Sequence, residues 1–229
     1  MAFNADVCAL TAGQPELVLL DLDGTLIDSV PDLAAATDAM LRGLGRTEAG
    51  REKVSHWIGN GADMLVRRAL ADGDEPTALA LTQNHVASAR ALFDQAYLES
   101  LHHATGAFPG VDEFLCGVTA VKILITNKPR MFTEPLIRSF GWEEHFAFIV
   151  CGDDLAEKKP SPLPLLHACE RAGYAPQSAL MIGDSKHDIQ AAKAAGISTV
   201  AVTYGYNHGE DIRDSAPDIL CSELTALIA

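Results

Sequence analysis

The sequence predicts an α/β protein in which a parallel β-sheet, covered by helices on both faces, carries a helical insertion after its first strand. Short apolar runs alternate with helical patterns along most of the 229 residues. The runs lack the polar alternation of a half-exposed strand, and strand–helix alternation is typical of parallel sheets. The stretch 31–103 shows only helical patterns. We therefore predict a Rossmann-like core with a helical cap domain.

Six apolar runs are the predicted strands: Leu17–Leu20, Val121–Thr126, Phe146–Cys151, Ala179–Gly183, Thr199–Val202 and Asp218–Cys221. Helical patterns lie between them at Pro129–Phe140, Pro162–Ala172 and His187–Ala195, and in the insertion at Pro31–Leu44, Gly61–Ala71 and Thr77–Leu101. Pro31 suits the first turn of a helix, and glycines separate the patterns. We expect a flexible tail over 1–14, a core formed by 15–30 and 104–229, and a cap over 31–103.

Composition limits the classes of partner. Asp and Glu number 31 against 17 Lys and Arg, a formal net charge of −14, and this disfavours nucleic acid and anionic membranes as partners. We find no signal-peptide pattern and no apolar run of transmembrane length, so we expect a cytoplasmic protein with no membrane partner. The five cysteines are scattered without metal-ligand spacing, as expected of reduced structural thiols.

Two carboxylates follow the first predicted strand. Asp21 and Asp23 stand one residue apart where the run Leu17–Leu20 ends, before a Gly-Thr turn. Open α/β sheets bind ligands at the carboxyl ends of their strands. Two acids at that place repel each other unless a cation, usually a divalent metal, lies between them. A simple Asp-Gly turn is the structural alternative.

Polar residues also follow three later strands. They are Thr126-Asn127, Lys158-Lys159 before a proline, and Gly183-Asp184-Ser185 with Asp188. Each has a structural alternative: a helix cap, an exposed loop, or an acid paired with a helix dipole. Parallel strands bring their carboxyl ends to one edge of the sheet, so we expect the four motifs to form one site.

In order, the four motifs resemble those of the haloacid dehalogenase superfamily of phosphohydrolases, and the insertion resembles that superfamily's helical cap. The segments Trp57–Asp63, Gly152–Asp154 and Thr203–Asn207 are similar to those of bacterial phosphoglycolate phosphatases. The resemblance implies Mg²⁺-dependent hydrolysis of a small anionic phosphate ester, 2-phosphoglycolate, by a monomer or homodimer.

The resemblance also implies roles for residues. Asp21 would form an aspartyl-phosphate, Asp23 would act as general acid and base, and Lys159 would neutralise the transferring group. The carboxylates of Asp21 and Asp184 and the main-chain carbonyl of Asp23 would hold Mg²⁺. The remaining roles are orientation of the metal site by Asp188 and hydrogen bonds to phosphoryl oxygens from Thr126 and Asn127.

The cap loop formed by Gly59, Asn60 and Gly61 precedes a helix, so its N–H groups could bind the carboxylate of the substrate. A turn between helices is the alternative. A sugar phosphomutase or a broad phosphatase of the same superfamily stays open, since both share the motifs. A dehalogenase would not need Asp23, and no Gly-x-Gly-x-x-Gly follows a strand as in dinucleotide-binding oxidoreductases.

Overall fold

The computed structural model describes residues 1–11 and 13–229, and it confirms the predicted α/β class. The strands are β1 Leu17–Leu20, β2 Ile27–Asp28, β3 Gly106–Ala107, β4 Val121–Ile125, β5 Phe148–Val150, β6 Ala179–Gly183, β7 Ser198–Val202 and β8 Ile219–Cys221. Six of them form a parallel sheet in the order β5-β4-β1-β6-β7-β8. Leu17 of the central strand β1 pairs with Val121 on one side and Ala179 on the other.

Ten helices accompany the strands over the described residues. They are α1 Ala5–Leu10, α2 Val30–Gly43, α3 Gly50–Trp57, α4 Ala62–Leu70, α5 Glu75–Ala80, α6 Gln83–Ser100, α7 Val111–Gly117, α8 Arg130–Phe140, α9 Leu163–Ala172 and α10 Lys186–Ala195. None of the helices described combines the length and apolar character needed to cross a bilayer.

The central strand is buried on both faces, which explains its continuous apolar sequence. Leu17 and Leu19 pack with α9 and α10 on one face, whereas Val18 and Leu20 pack with α7 and α8 on the other. Successive side chains of a strand point to opposite faces, so each face receives every second residue. With both faces covered by helices, only the strand ends are available for polar chemistry.

The insertion consists of α2 to α6, whose buried apolar side chains, among them Met40, Val66 and Phe93, form one cluster with Phe132 of core helix α8. It enters through β2 and leaves through β3, and these strands pair antiparallel. The predicted helix Thr77–Leu101 is two helices, α5 and α6, because the backbone is extended at Leu81 and Thr82. Helix α3 was not predicted. The residue boundaries of cap and core stay a prediction.

The N-terminal segment differs from the flexible tail expected for residues 1–14. It contains α1, and Phe3 and Val7 are buried in the core cluster that covers one face of the sheet. The Phe3 ring meets Phe114 edge to face, with 6.2 Å between centroids, and the N–H of Asn4 donates to the carbonyl of Leu227 at 2.9 Å. The segment therefore fills part of the sheet's apolar cover.

Candidate active site

The four predicted motifs meet at the carboxyl edge of the sheet. Asp21 follows β1, Thr126 and Asn127 follow β4, and Asp184 follows β6. The loop after β5 brings Lys159 to the same edge, where its ammonium group lies beside Asp21. The register of the parallel strands explains this meeting, since residues 17, 121 and 179 lie level and the three strands end together.

Lys159 is the cation of this cluster. Its Nζ lies 2.6 Å from Asp21 Oδ1 and 2.7 Å from Asp188 Oδ1, and it donates to the Ile125 carbonyl at 2.6 Å. Burial opposes the charge of this lysine, but the Asp188 and Asp21 carboxylates raise its pKa above the ordinary value. The preceding Lys158 points away and donates to the main-chain carbonyl of Asn60 at 2.6 Å.

Three buried carboxylates face this single ammonium group. Asp21, Asp184 and Asp188 each offer one oxygen, and these oxygens all lie within 4.8 Å of one another. Burial, with Asp188 adding to it, raises the pKa of Asp184 to about 7, and burial raises the pKa of Asp21 well above its usual range. The cluster therefore has an excess of acid, and its oxygen ligands suit a hard divalent cation.

Asp184 is held in one orientation. Its Oδ1 accepts a hydrogen bond from the Thr25 hydroxyl at 3.0 Å, and its Oδ2 accepts one from the Tyr206 N–H at 2.8 Å. Two glycine backbones enclose it, since a Cβ on Gly24 or Gly205 would come within 2.2 or 2.1 Å of its side chain. Such close approach requires glycine at both positions, and it fixes the direction of this carboxylate.

Asp188 is the residue expected to orient the metal site, and both of its carboxylate oxygens have partners. Its Oδ2 accepts hydrogen bonds from the Ser185 N–H at 3.1 Å and the Ser185 hydroxyl at 2.7 Å, which caps helix α10. Its other oxygen pairs with Lys159. Asp188 therefore fixes the position of the lysine relative to the helix.

The Asp23 carboxylate lies outside the three-carboxylate cluster and faces a second lysine. Lys128 Nζ lies 2.8 Å from Asp23 Oδ1 and 3.2 Å from Oδ2, and the Ser29 hydroxyl donates to Oδ1 at 2.5 Å. Burial opposes the charge of Lys128, but Asp23 raises its pKa above the ordinary value. No role is predicted for Lys128 from the sequence, although it directly follows Thr126 and Asn127.

The cap loop Gly59–Gly61 docks on the core. The Gly59 carbonyl accepts a hydrogen bond from Asn127 Nδ2 at 2.9 Å, and Asn60 Nδ2 lies 2.9 Å from His187 Nε2. Burial and the nearby His208 lower the pKa of His187 to about 4, so its ring is neutral and accepts this bond. Gly61 has a φ of +82°, and a Cβ there would lie 2.7 Å from the Asn127 carbonyl.

The Asn127 side chain differs from its expected role. Its Nδ2 donates to the Gly59 carbonyl and, at 2.8 Å, to the Lys159 carbonyl, which commits both amide hydrogens. The side chain therefore joins the cap loop to the lysine segment instead of donating to a phosphoryl group. This difference could not be foreseen locally, because both partners come from distant parts of the chain.

A narrow cavity of about 40 Å³ lies between cap and core over these residues. Its core side is polar and includes Asp21, Asp23, Lys128 and Lys159. Apolar side chains also line it: Leu33, Leu65, Phe93 and Tyr97 from the cap and Phe132 from core helix α8. A ligand in this cavity therefore meets both charged groups and hydrocarbon.

A family model described as haloacid dehalogenase-like hydrolase matches residues 18–202. The chain belongs to this family. Among haloacid dehalogenase-like hydrolases, it is 50% identical over 221 residues to a phosphoglycolate phosphatase of Pseudomonas putida, covering 93% of this chain and 79% of the relative. It is 44% identical over 214 residues to a phosphoglycolate phosphatase of Nitrosococcus oceani, covering 92% and 94%.

Solved structures of the family share the fold. A crystal structure described as a predicted phosphoglycolate phosphatase from Haemophilus somnus superposes with a TM-score of 0.85 at 34% identity, covering 91% of this chain and 94% of that one. The resemblance drawn from the four motifs is thereby confirmed at the level of the family. As a member of this family, the chain is a hydrolase, and the acidic edge of its sheet is the candidate active site.

Proposed function

We propose that this protein is a Mg²⁺-dependent phosphatase that hydrolyses 2-phosphoglycolate to glycolate and phosphate. The observation that carries the proposal is the buried group of Asp21, Lys159, Asp184 and Asp188 at the carboxyl edge of the sheet. The relatives named phosphoglycolate phosphatase support the choice of substrate. We place the enzyme in the cytoplasm, as a monomer or homodimer.

The proposed reaction has two displacements. An oxygen of Asp21 attacks the phosphorus in line, the bond from phosphorus to the ester oxygen breaks, and an aspartyl-phosphate forms. Asp23 donates a proton to the departing oxygen and then takes one from the water that hydrolyses the intermediate. Lys159, which already touches Asp21, neutralises negative charge that develops on the transferring group.

The metal-binding residues are proposed to be the carboxylates of Asp21 and Asp184 and the main-chain carbonyl of Asp23, with Asp188 orienting the site. When bound, Mg²⁺ supplies positive charge that offsets the repulsion between these carboxylates and a phosphate dianion. The geometry supports this assignment, because oxygens of Asp21, Asp184 and Asp188 lie within 4.8 Å of one another and share one ammonium group, that of Lys159.

Phosphoryl oxygens are proposed to bind at the end of β4. Thr126 Oγ1 accepts the N–H of Lys128 at 3.1 Å, so the hydroxyl keeps its own hydrogen to donate. The main-chain N–H of Asn127 is proposed to donate the hydrogen bond to the phosphoryl group, since the hydrogens of the side-chain amide already bond to other carbonyls. We further propose that residues 31–103 act as a lid. Binding of the substrate's carboxylate by the N–H groups of Gly59, Asn60 and Gly61 stays a prediction, which the Gly61→Ala variant tests.

The apolar side chains that line the cavity favour a small leaving group over a sugar. A sugar phosphate would place several hydroxyl groups against Leu33, Phe93 and Phe132, where they would lack hydrogen-bond partners. Glycolate presents one methylene and one carboxylate. The sugar phosphomutase is therefore the less favoured alternative.

The test is Mg²⁺-dependent phosphate release from 2-phosphoglycolate, phosphoserine, β-glucose 1-phosphate and an aryl phosphate, with Asp21→Asn as control. We expect the highest kcat/KM for 2-phosphoglycolate and loss of all turnover in the variant. Equal slow turnover of all four esters would support a broad phosphatase instead. Phosphate release that survives Asp21→Asn would contradict the proposed nucleophile.

A further inference from the structure

Lys128 is a buried lysine whose ammonium group is incompletely bonded. Its side chain is 4% exposed and lines the cavity between cap and core. In the part of the chain that the structure describes, the Asp23 carboxylate accepts the hydrogen bonds of good geometry that Nζ donates, and the Tyr97 side chain lies near enough to raise the pKa of Lys128 as well. The ring of Tyr97 from cap helix α6 lies on another side, with its centroid 4.8 Å from Nζ. An ammonium group has three hydrogens, so Lys128 retains capacity for a further acceptor.

Tyr97 brings a second unused donor to the same place. Its side chain lines the cavity and is almost completely buried, and among the described residues its hydroxyl makes no hydrogen bond of good geometry, although the neighbouring Lys128 lowers the pKa of this hydroxyl against the effect of burial. A buried hydroxyl without a partner is unfavourable, and such groups in folded proteins call for an explanation. An acceptor atom on a ligand would satisfy it.

The other cations near the cavity are already engaged. Lys159 is held between Asp21 and Asp188, and Lys158 donates to the cap loop. The cap arginines nearest to that loop, Arg67 and Arg68, pair with cap carboxylates. Lys128 is therefore the cation available to an anionic group on the side of the cavity that Asp23 faces.

We infer that Lys128 Nζ and Tyr97 Oη together bind the carboxylate of the substrate's leaving group. This inference rests on the proposed function, in which Asp23 protonates the departing oxygen. In 2-phosphoglycolate one methylene separates that oxygen from the carboxyl carbon, so the carboxylate lies next to Asp23, beside Lys128. The pair selects short phosphate esters that carry a carboxylate on the carbon next to the ester oxygen.

Binding of the carboxylate by both Lys128 and Tyr97 also requires the cap to lie against the core. Lys128 follows core strand β4, whereas Tyr97 belongs to cap helix α6, so a carboxylate bound to both connects the two parts of the molecule. A substrate without that carboxylate has no such connection. Closure over the reaction is then favoured by the leaving group that the enzyme is to release.

The experiment compares 2-phosphoglycolate with ethyl phosphate, in which a methyl group replaces the carboxylate. We take the ratio of the two kcat/KM values in the wild type, Lys128→Met and Tyr97→Phe. The ratio cancels any change that affects both esters, such as the loss of the Asp23 partner in Lys128→Met. A hydrogen bond to a charged group predicts that the ratio falls at least about 10-fold in each variant, mainly through KM.

Two variants serve as matched controls. Lys193→Met and Tyr174→Phe alter the same residue types away from the cavity, and we expect the wild-type ratio in both. Tyr97→Phe removes only an unpartnered hydroxyl, so its thermal stability should equal or exceed that of the wild type, and this variant keeps the test valid if Lys128→Met fails to fold.

A high wild-type ratio that persists in Lys128→Met and Tyr97→Phe would overturn the carboxylate site and leave the proposed function standing. A wild-type ratio near one would overturn the proposed substrate together with the site. Turnover of neither ester would reject the phosphatase activity itself. The wild-type measurement therefore tests the proposed function, and the two variants then test the carboxylate site separately.

Discussion

The acidic cluster should make the metal-free protein lose stability as the pH rises. Burial raises the pKa of Asp184 from 3.8 to about 7. A carboxyl group with a raised pKa in the folded state stabilises the fold while it is protonated, and this contribution is lost as the pH rises from the unfolded value through the folded one. At 1.36 kcal/mol per pKa unit, the full loss is about 4 kcal/mol, of which about 3 kcal/mol falls between pH 5 and pH 8.

Buried histidines act in the opposite sense over the same range. The pKa of His187 is lowered to about 4 and that of His208 is lowered as well, mainly by burial. Their neutral forms are favoured in the fold, so their contribution is present above the unfolded pKa of 6.5 and is lost as the pH falls toward the folded values. The wild-type pH profile alone therefore mixes both effects.

Comparison with Asp184→Asn separates them. Urea denaturation in a metal chelator, at pH 5 and at pH 8, gives the free energy of unfolding for both proteins. Between these two pH values, the wild type should lose about 3 kcal/mol more than the variant. Mg²⁺ should restore most of that loss in the wild type at pH 8 and much less in the variant. Parallel pH dependence in the two proteins would refute the electrostatic reasoning.

Two further substitutions test contacts that the structure revealed. Gly61→Ala should lower kcat/KM about 10-fold for 2-phosphoglycolate and ethyl phosphate alike. The reason is that a Cβ at φ +82° would clash with the Asn127 carbonyl and displace the cap loop from the core. A selective loss for 2-phosphoglycolate in steady-state kinetics would instead favour carboxylate binding by the loop. Phe3→Ala should lower the free energy of unfolding, measured by urea denaturation, by about 3 kcal/mol, since the ring is buried in the core. A change under about 1 kcal/mol would favour the flexible tail expected for residues 1–14.

The strands of the sheet were predictable because burial on both faces gives them continuous apolar sequences. Strand β1 must cover two apolar faces, and β1 and β6 were predicted to the residue. Two features were not predicted: an interruption between two cap helices and the packing of the N-terminal segment. The interruption at Leu81 and Thr82 separates two stretches that each suit a helix, and no proline or glycine marks it. The N-terminal segment is short, and the partners that hold it, such as Phe114 and Leu227, lie far along the chain.

The residues of the candidate site were also predictable from the sequence only where neighbouring residues determine their position. The strand-end motifs could be placed together because parallel strands end at one edge. The pairing of Lys128 with Tyr97 could not, since Tyr97 is one of several buried apolar positions on cap helix α6. Nothing in its helical spacing distinguishes it from Phe93, and only the folded cap brings its hydroxyl to the cavity.

The pairing of β2 with β3 makes the helical insertion a separable unit. Both crossings between the sheet and the helices lie in one antiparallel pair, with Ile27 opposite Ala107 and Asp28 opposite Gly106. The two ends of the insertion are thus neighbours, at a distance that a two-residue hairpin turn can span. Such a turn could replace the helices without disturbing the sheet order. The architecture therefore allows helical insertions of different length to be joined to the core without changing the order of the sheet strands.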